Sequence, residues 1–294
     1  MSFTIVTDTS ANIPLELARA ENIAIINLNC RMSGVDKAQS YLDGESFDSK
    51  AFYDAMRAGA RVSTSQINPQ TYVDCMEKFL ADGQDVLFVG MSSGISGSFN
   101  SARMAAAQLL EDYPQRRIRL VDSLGASLGE GLLVVDAVEL RSQGKDVDEA
   151  ADWLEKKLVR MYQVFTVDDL NYLRRGGRLS NAAAIAGIVL NIKPILKGNE
   201  NGKIVSTEKI RGRKRTIERL AEKYDELVVE PENQTIGISH ADCLEDAQKL
   251  IELISRSKPP RKILLVDHEP ATGSYLGPGA LALYFAGAED VRYK

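Results

Sequence analysis

The sequence predicts an α/β protein of two domains, an N-terminal parallel sheet with helices on both faces and a C-terminal mixed α/β domain. Three observations carry this. Through residues 1–160, apolar strand-like runs alternate with helical segments, the pattern of a parallel sheet covered on both sides. After residue 160 a hairpin signal, Asn199-Glu200-Asn201-Gly202, appears among further strand–helix units, so antiparallel pairing joins and the sheet becomes mixed. A length of 294 residues is long for one core and comfortable for two, divided as 1–160 and 161–294.

The elements follow in order. Residues 3–7 are a first strand, and Asp8-Thr9-Ser10-Ala11-Asn12 a polar turn at its C-terminal end. That turn is an edge where a ligand can sit, but Asp8 and Ser10 suit a cap and are read as one. Ile13-Pro14 opens a helix to about Ala20, because proline is favourable at a first helical position. Residues 23–28 are a mostly apolar strand. Residues 46–58 read as a helix with Phe47, Phe52, Ala55 and Met56 as its apolar positions. The polar segment 61–69 precedes a helix over 70–81, and its Thr64 and Ser65 either cap that helix or turn hydroxyls into a cleft. Residues 85–90 are a strand, residues 102–107 read as helix, and 118–123 are a further strand and turn. A long helix is expected over 124–143. Its Gly125, Gly129 and Gly131 each cost about 1 kcal/mol against alanine, which close packing on a ligand or another backbone would explain. Residues 146–160 form an amphipathic helix whose Trp153 is assigned to the core.

In the second half, residues 162–167 are a strand and 168–180 a short helix stopped by Gly176 and Gly177. Residues 182–190 read as a small apolar helix, 191–196 lead into a strand, and 203–209 pair back across the Asn-Gly turn. A helix over 214–224, a strand over 234–239 ending at His240, a helix over 244–257 and a strand over 261–267 come next. Residues 273–280, GSYLGPGA, read as a loop before the apolar run 281–286.

Composition narrows the function. A hydrophobic fraction of 44% suits a globular protein. The net charge of −5 argues against nucleic acid as a partner. Two basic clusters, Arg174, Arg175 and Arg178, then Lys209 to Arg215, accordingly read as a solvated face or a docking patch for an acidic partner. Cys30, Cys75 and Cys243 form no CxxC pair, so reduced thiols are expected, not a disulfide frame or a metal site. The N-terminus shows no secretory pattern, and no window approaches the roughly 18 apolar residues of a membrane span. A cytoplasmic location is expected.

The stretch Met91 to Ser101, MSSGISGSFNS, is the strongest candidate site. A strand, a loop rich in Ser and Gly, then a helix is where an α/β fold receives an oxygen-bearing group. Gly94 and Gly97 let backbone N–H groups approach a ligand, and Ser92, Ser93, Ser96 and Ser98 add hydroxyl donors. The loop holds no lysine and so is not built for a triphosphate. Its plain alternative is a helix-capping loop. A serine hydrolase or transferase using Ser93 is disfavoured because Ser93 lies outside a GxSxG elbow and neither histidine has an obvious acidic partner. The G-x-G-x-x-G spacing of a dinucleotide enzyme is absent.

Several segments in order carry a resemblance. They are Asp8-Thr9-Ser10 with Ile13-Pro14, Ser63-Thr64-Ser65-Gln66, Ser92-Ser93-Gly94-Ile95-Ser96-Gly97 and Val121-Asp122-Ser123. Asp169-Leu170-Asn171-Tyr172-Leu173 then runs into Gly176-Gly177-Arg178-Leu179-Ser180, followed by Ile192-Lys193-Pro194-Ile195-Leu196, Lys209-Ile210-Arg211-Gly212 and Gly277-Pro278-Gly279-Ala280. The chain resembles the DegV family over essentially its whole length. These are bacterial fatty acid-binding proteins that serve as the lipid-carrying subunit of fatty acid kinase. The resemblance implies a long-chain fatty acid buried between two α/β domains, its carboxylate held by Thr64 and Ser93, with Ser65, Ser96, Gly94 and Tyr275 around it. It implies a separate kinase subunit that phosphorylates the carboxylate and docks at Arg178, no catalysis by this chain, no cofactor beyond the bound acid, and room for transient membrane contact. One departure stands out. Tyr275 occupies the position, two residues before Gly277-Pro278-Gly279, where the family usually has histidine, and tyrosine brings no positive charge at neutral pH. A different lipid head group is therefore an alternative.

Such a ligand suits the composition. A tail of about 16 carbons gains roughly 11 kcal/mol in gross terms on burial, before ordering and association costs. A few hydroxyls then need only satisfy the head group, since an unpartnered buried carboxylate is costly. The runs 182–190 and 281–285 supply apolar surface.

Overall fold

The computed structural model describes residues 3–35, 40, 42, 47–180 and 191–294. The helix expected at 182–190 lies outside the described residues.

Four parallel strands form the first sheet. The fully buried strand β1 (Phe3–Asp8) pairs with β2 (Ala24–Ile26), which follows α1 (Leu15–Ala20), and on its other side with β5 (Asp85–Gly90). The sheet ends at β6 (Ile118–Asp122), giving the order β2-β1-β5-β6. Two helix pairs cover it. Helices α3 (Pro69–Ala81) and α4 (Ser98–Asp112) pack on each other and on β5 and β6. Helices α5 (Leu128–Ser142) and α6 (Val147–Leu158) pack on each other and on the strands. Asp146 and Glu149 start α6 with a capping box. Between β2 and α3 lies a small antiparallel hairpin, β3 (Cys30–Met32) with β4 (Val62–Thr64), whose strands are separated by α2 (Ser49–Arg57).

The second sheet begins at β7 (Met161–Thr166) and continues, beyond α7 (Asn171–Gly176), through the hairpin β8 (Ile192–Gly198) and β9 (Ile204–Arg211). Gly202, at φ +65°, closes that hairpin at the expected Asn-Gly turn. Helix α8 (Arg213–Leu227) leads to β10 (Thr235–His240), α9 (Leu244–Ser257) to β11 (Lys262–Asp267), and α10 (Pro270–Leu276) to β12 (Leu281–Ala286). Only β10 and β11 pair in parallel within the order β11-β10-β12-β7-β8-β9, so the sheet is mixed. Helix α5 packs on β1 and β5 and also on β10, β12 and β7, which places it between the sheets. Gly237 permits that approach, because a Cβ there would lie 2.8 Å from Leu128 Cβ.

Three expectations need correction, and one strand pairing was not expected. The helix expected from residue 124 starts at Leu128, because Leu124 and Ser127 hold positive φ angles of +50° and +53° that no helix contains. Residues 273–276 are not loop but the end of α10, which Glu269 caps and Pro270 opens. The pairing of Cys30 with Thr64 gave no signal, since strands of three residues show no periodicity and their partners are far apart in the chain. Trp153 is 42% exposed with the Lys157 ammonium 5.2 Å from its ring centroid. It lies off the buried stripe of α6, which runs through Val147, Ala150, Ala151, Leu154 and Leu158.

Candidate ligand-binding site

The ends of the two sheets face each other across a cavity of about 190 Å³. Thr64 on β4 and Met91 and Ser96 after β5 form one wall. The loop after β6, with Leu124 and Ser127, joins Phe165 of β7 in a second. Leu173, Arg178, Ile204 and the α10 residues Thr272, Tyr275 and Leu276 complete it. Ser65, Gln66 and Gly97 are exposed and mark a mouth, whereas Ser127, His268 and Tyr284 are buried at the inner wall.

The mouth carries hydroxyls and one cation. Thr64 Oγ1 and Tyr275 OH lie 2.7 Å apart, a bond between the N-terminal hairpin and α10. One of the two hydrogens makes that bond and the other stays free for an anion. The Arg178 guanidinium stacks on the Tyr275 ring, 4.7 Å from its centroid, and donates to the carbonyls of Ile95 (3.2 Å) and Gly176. Among the described residues no carboxylate pairs with Arg178. A half-buried guanidinium without a counter-charge, beside a free hydroxyl hydrogen, is a seat for a small oxyanion.

The N-terminal half also fixes α10 from below. Glu269 caps it, its carboxylate accepting the N–H groups of Ala271 (2.6 Å) and Thr272 (2.5 Å). Burial pushes Glu269 up to about 7, against the pull of those N–H groups. Asn12 takes the Glu269 N–H at 2.7 Å and donates to the Asp267 carbonyl at 2.8 Å. Tyr53 donates to the His268 carbonyl at 2.9 Å. Behind Asn12, Asp8 caps the turn as its pattern predicts, accepting from Ser10 N–H at 2.8 Å. Ser10 Oγ lies between Asp8 Oδ1 (2.5 Å) and Glu130 Oε2 (2.6 Å). Burial raises both of those carboxyls, Glu130 well above the usual range.

Of the residues singled out in the sequence, Thr64, Ser65, Ser96, Arg178 and Tyr275 line this cavity together. Ser93 and Gly94 do not. They line an adjoining outer cavity that shares Ser96 and Arg178 and adds Lys203. Ser93 is exposed and its N–H donates to Asp122 Oδ1 at 3.1 Å. The buried serine of the pair is Ser92, whose hydroxyl donates to the Gly202 carbonyl at 2.8 Å. Gly94 makes room for the β8–β9 turn, since a Cβ would lie 2.5 Å from the Asn201 carbonyl. Gln163, Ser127 and Tyr284 line the cavity without having been singled out. Gln163 left an indirect trace, because Gly125 and Gly129 are glycines where any Cβ would strike its carboxamide. Among the described residues no group of His, Cys, Asp and Glu suits a metal ion, and no helix is long and apolar enough to cross a membrane.

Comparison with known proteins agrees with this architecture. The DegV family model, described as "Uncharacterised protein, DegV family", matches residues 2–287. A DegV domain-containing protein of Clostridium perfringens is 38% identical over 286 residues, 97% of each chain. The solved structure of DegV from Bacillus subtilis, described as a fatty acid binding protein, is 32% identical with a TM-score of 0.83, covering 98% of this chain and 99% of that one. A fatty acid binding DegV family protein from Streptococcus agalactiae is 29% identical with a TM-score of 0.85 at the same coverage. With a family model spanning nearly every residue and a curated relative above a third identical, the chain belongs to the DegV family.

Proposed function

We propose that the protein binds a long-chain fatty acid with its tail in the cavity between the two sheets and its carboxylate at the mouth, for presentation to a separate kinase subunit. One observation carries this: the Arg178 guanidinium, without a carboxylate partner among the described residues, stacked on Tyr275 beside the Thr64–Tyr275 hydroxyl pair, at the entrance of a cavity walled by Phe165, Leu173 and Leu276. Arg178 supplies the positive charge that Tyr275 lacks, so a carboxylate is accommodated without the family histidine. Ser65 and Ser96 add hydroxyls at the rim. Ser93, Gly94 and Lys203, in the outer cavity, face whatever approaches the mouth, and we assign them to the partner's side. The units contributing to the cavity divide near Arg160. The relatives described as fatty acid binding support the ligand class.

The chain acts as carrier in this reading, with chemistry left to the partner. Neither histidine is bonded to Ser93: His268 Nε2 meets Ser239 Oγ at 3.1 Å, and His240 Nδ1 lies 3.1 Å from Asp267 Oδ1. Native mass spectrometry of the purified protein, before and after lipid extraction, tests the reading. A bound mass equal to one fatty acid is expected, lost on denaturation and absent from a Thr64→Ala, Arg178→Gln double variant. An empty wild-type protein that refuses added fatty acid would sink it. Turnover of fatty acid and ATP by this chain alone would overturn the carrier role.

A further inference from the structure

The inner wall of the cavity is not apolar throughout. Ser239 Oγ is a hub there, 3.3 Å from Ser127 Oγ, 3.1 Å from His268 Nε2 and 3.0 Å from Tyr284 OH. A hydroxyl has one hydrogen and two lone pairs, so these three contacts use all that Ser239 has. Its neighbours are not used up. Ser127 and Tyr284 also pair with each other, each oxygen keeps a lone pair, and both line the cavity with His268. His268 Nδ1 is buried and has no hydrogen-bond partner among the described residues. Burial holds this imidazole neutral, its pKa pushed down to about 3, and keeps the Tyr284 hydroxyl protonated, pushed up to about 12. The wall therefore offers hydroxyl oxygens as acceptors at Ser127 and Tyr284, while His268 Nδ1 is closed off behind them.

The backbone supplies a second, independent observation. Ser127 sits at φ +53°, ψ −141°, a conformation that glycine adopts freely and serine does not. It makes no capping bond for α5, so the strain is not compensated as an N-cap. Its hydroxyl points instead to the hub. Glycine is the residue that local geometry favours at 127, and what serine adds is a hydroxyl at the cavity wall.

The hydroxyl pair at the mouth and this cluster stand at opposite ends of α10: Tyr275 is near its C-terminus and His268 precedes its first residue. They are seven positions apart, roughly 10 Å at about 1.5 Å each along the helix. Between the two ends the wall carries Ala271 and Thr272, and Leu276 follows Tyr275. We infer that the preferred ligand is an oxygenated acyl chain, carrying a hydroxyl well removed from its carboxylate that hydrogen-bonds to the Ser127–His268–Tyr284 cluster. This rests on the fatty acid reading above and goes beyond it in naming a second polar group on the ligand. A plain alkyl chain would cover these groups without pairing them, which is unfavourable for buried polar atoms.

The test is competition for lipid-free protein between hexadecanoic acid and a series of hydroxyhexadecanoic acids, the hydroxyl moved stepwise along the chain. The result expected is a preference of about fivefold or more for one mid-chain position, as one added hydrogen bond allows. Ser127→Gly deletes the hydroxyl while suiting the backbone, so this variant folds and its preference collapses toward parity. Tyr284→Phe gives the same collapse. If every hydroxylated acid binds no better than hexadecanoic acid, the inference is overturned and the fatty acid reading stands. If no acid binds at all, both fall.

Discussion

Ser10 has one hydroxyl hydrogen and stands between two buried carboxyl oxygens, Asp8 Oδ1 at 2.5 Å and Glu130 Oε2 at 2.6 Å. It can donate to only one of them. The other oxygen can approach this closely only if it brings its own proton. Asp8 already accepts from the backbone N–H of Ser10 at 2.8 Å, which favours its ionised form. Among the described residues Glu130 meets only the hydroxyls of Thr7 and Ser10, feels the negative charges of Asp8 and Glu269, and is wholly buried. The proton therefore belongs on Glu130, which donates to Ser10, which donates to Asp8. An unfolded glutamate releases its proton near pH 4.3. Above that pH the folded state holds one proton more than the unfolded chain, so stability falls as pH rises, and it does so until the raised folded pKa is passed. The slope is about 1.4 kcal/mol per pH unit for as long as the folded state keeps its proton.

Glu130→Gln keeps the donor to Ser10 and the acceptor for Thr7 but cannot titrate. Urea unfolding of both proteins at pH 6, 7 and 8 should show the variant gaining on wild type by about 1.4 kcal/mol per unit while the folded proton is retained. The histidines, held neutral by burial, act below about pH 6.5 with the opposite sign and cancel in the difference. A difference that stays constant across the three pH values would refute the assignment. A flattened profile in Asp8→Asn but not in Glu130→Gln would move the proton to Asp8.

Three further outcomes are expected. Arg178→Gln should weaken fatty acid binding by about 10- to 150-fold, the value of roughly 1.5–3 kcal/mol for a bond to a charged group, read by displacement of a fluorescent acid. An unchanged Kd would remove Arg178 from the carboxylate seat. Tyr275→His should make affinity pH-dependent, tightening as pH falls through about 6.5 where imidazole gains its proton, whereas wild type should show no such step. A step of equal size in wild type would place the titrating group elsewhere. Tyr53→Phe leaves the buried His268 carbonyl without its donor and should cost about 1–3 kcal/mol in denaturant unfolding. A change within about 0.5 kcal/mol would mean that bond does not help brace α10.

What could be read from the sequence was what is local. Alternating runs located the strands of the parallel sheet, Asn199 to Gly202 marked the hairpin, and Gly177, at φ +70°, stops α7 where expected. The Ser/Gly loop after β5 was legible as a site because its chemistry is written in consecutive residues, yet its inward members are Ser96 and the backbone while Ser93 faces out, and side-chain direction within a loop has no period to read. The remaining site is non-local. Thr64 meets Tyr275 only because a hairpin of two three-residue strands places β4 beside α10, and Asn12 and Tyr53 reach the same segment from other elements. Gln163 reads as an ordinary strand residue until the glycines that clear it are seen in space. Ser127 is the sharpest case. In one dimension it is a small polar residue early in an apparent helix, and only its φ shows that glycine would be more comfortable there. A side chain kept against its backbone's preference is meaningful for what its atoms touch, and Ser127 touches the polar hub behind the cavity.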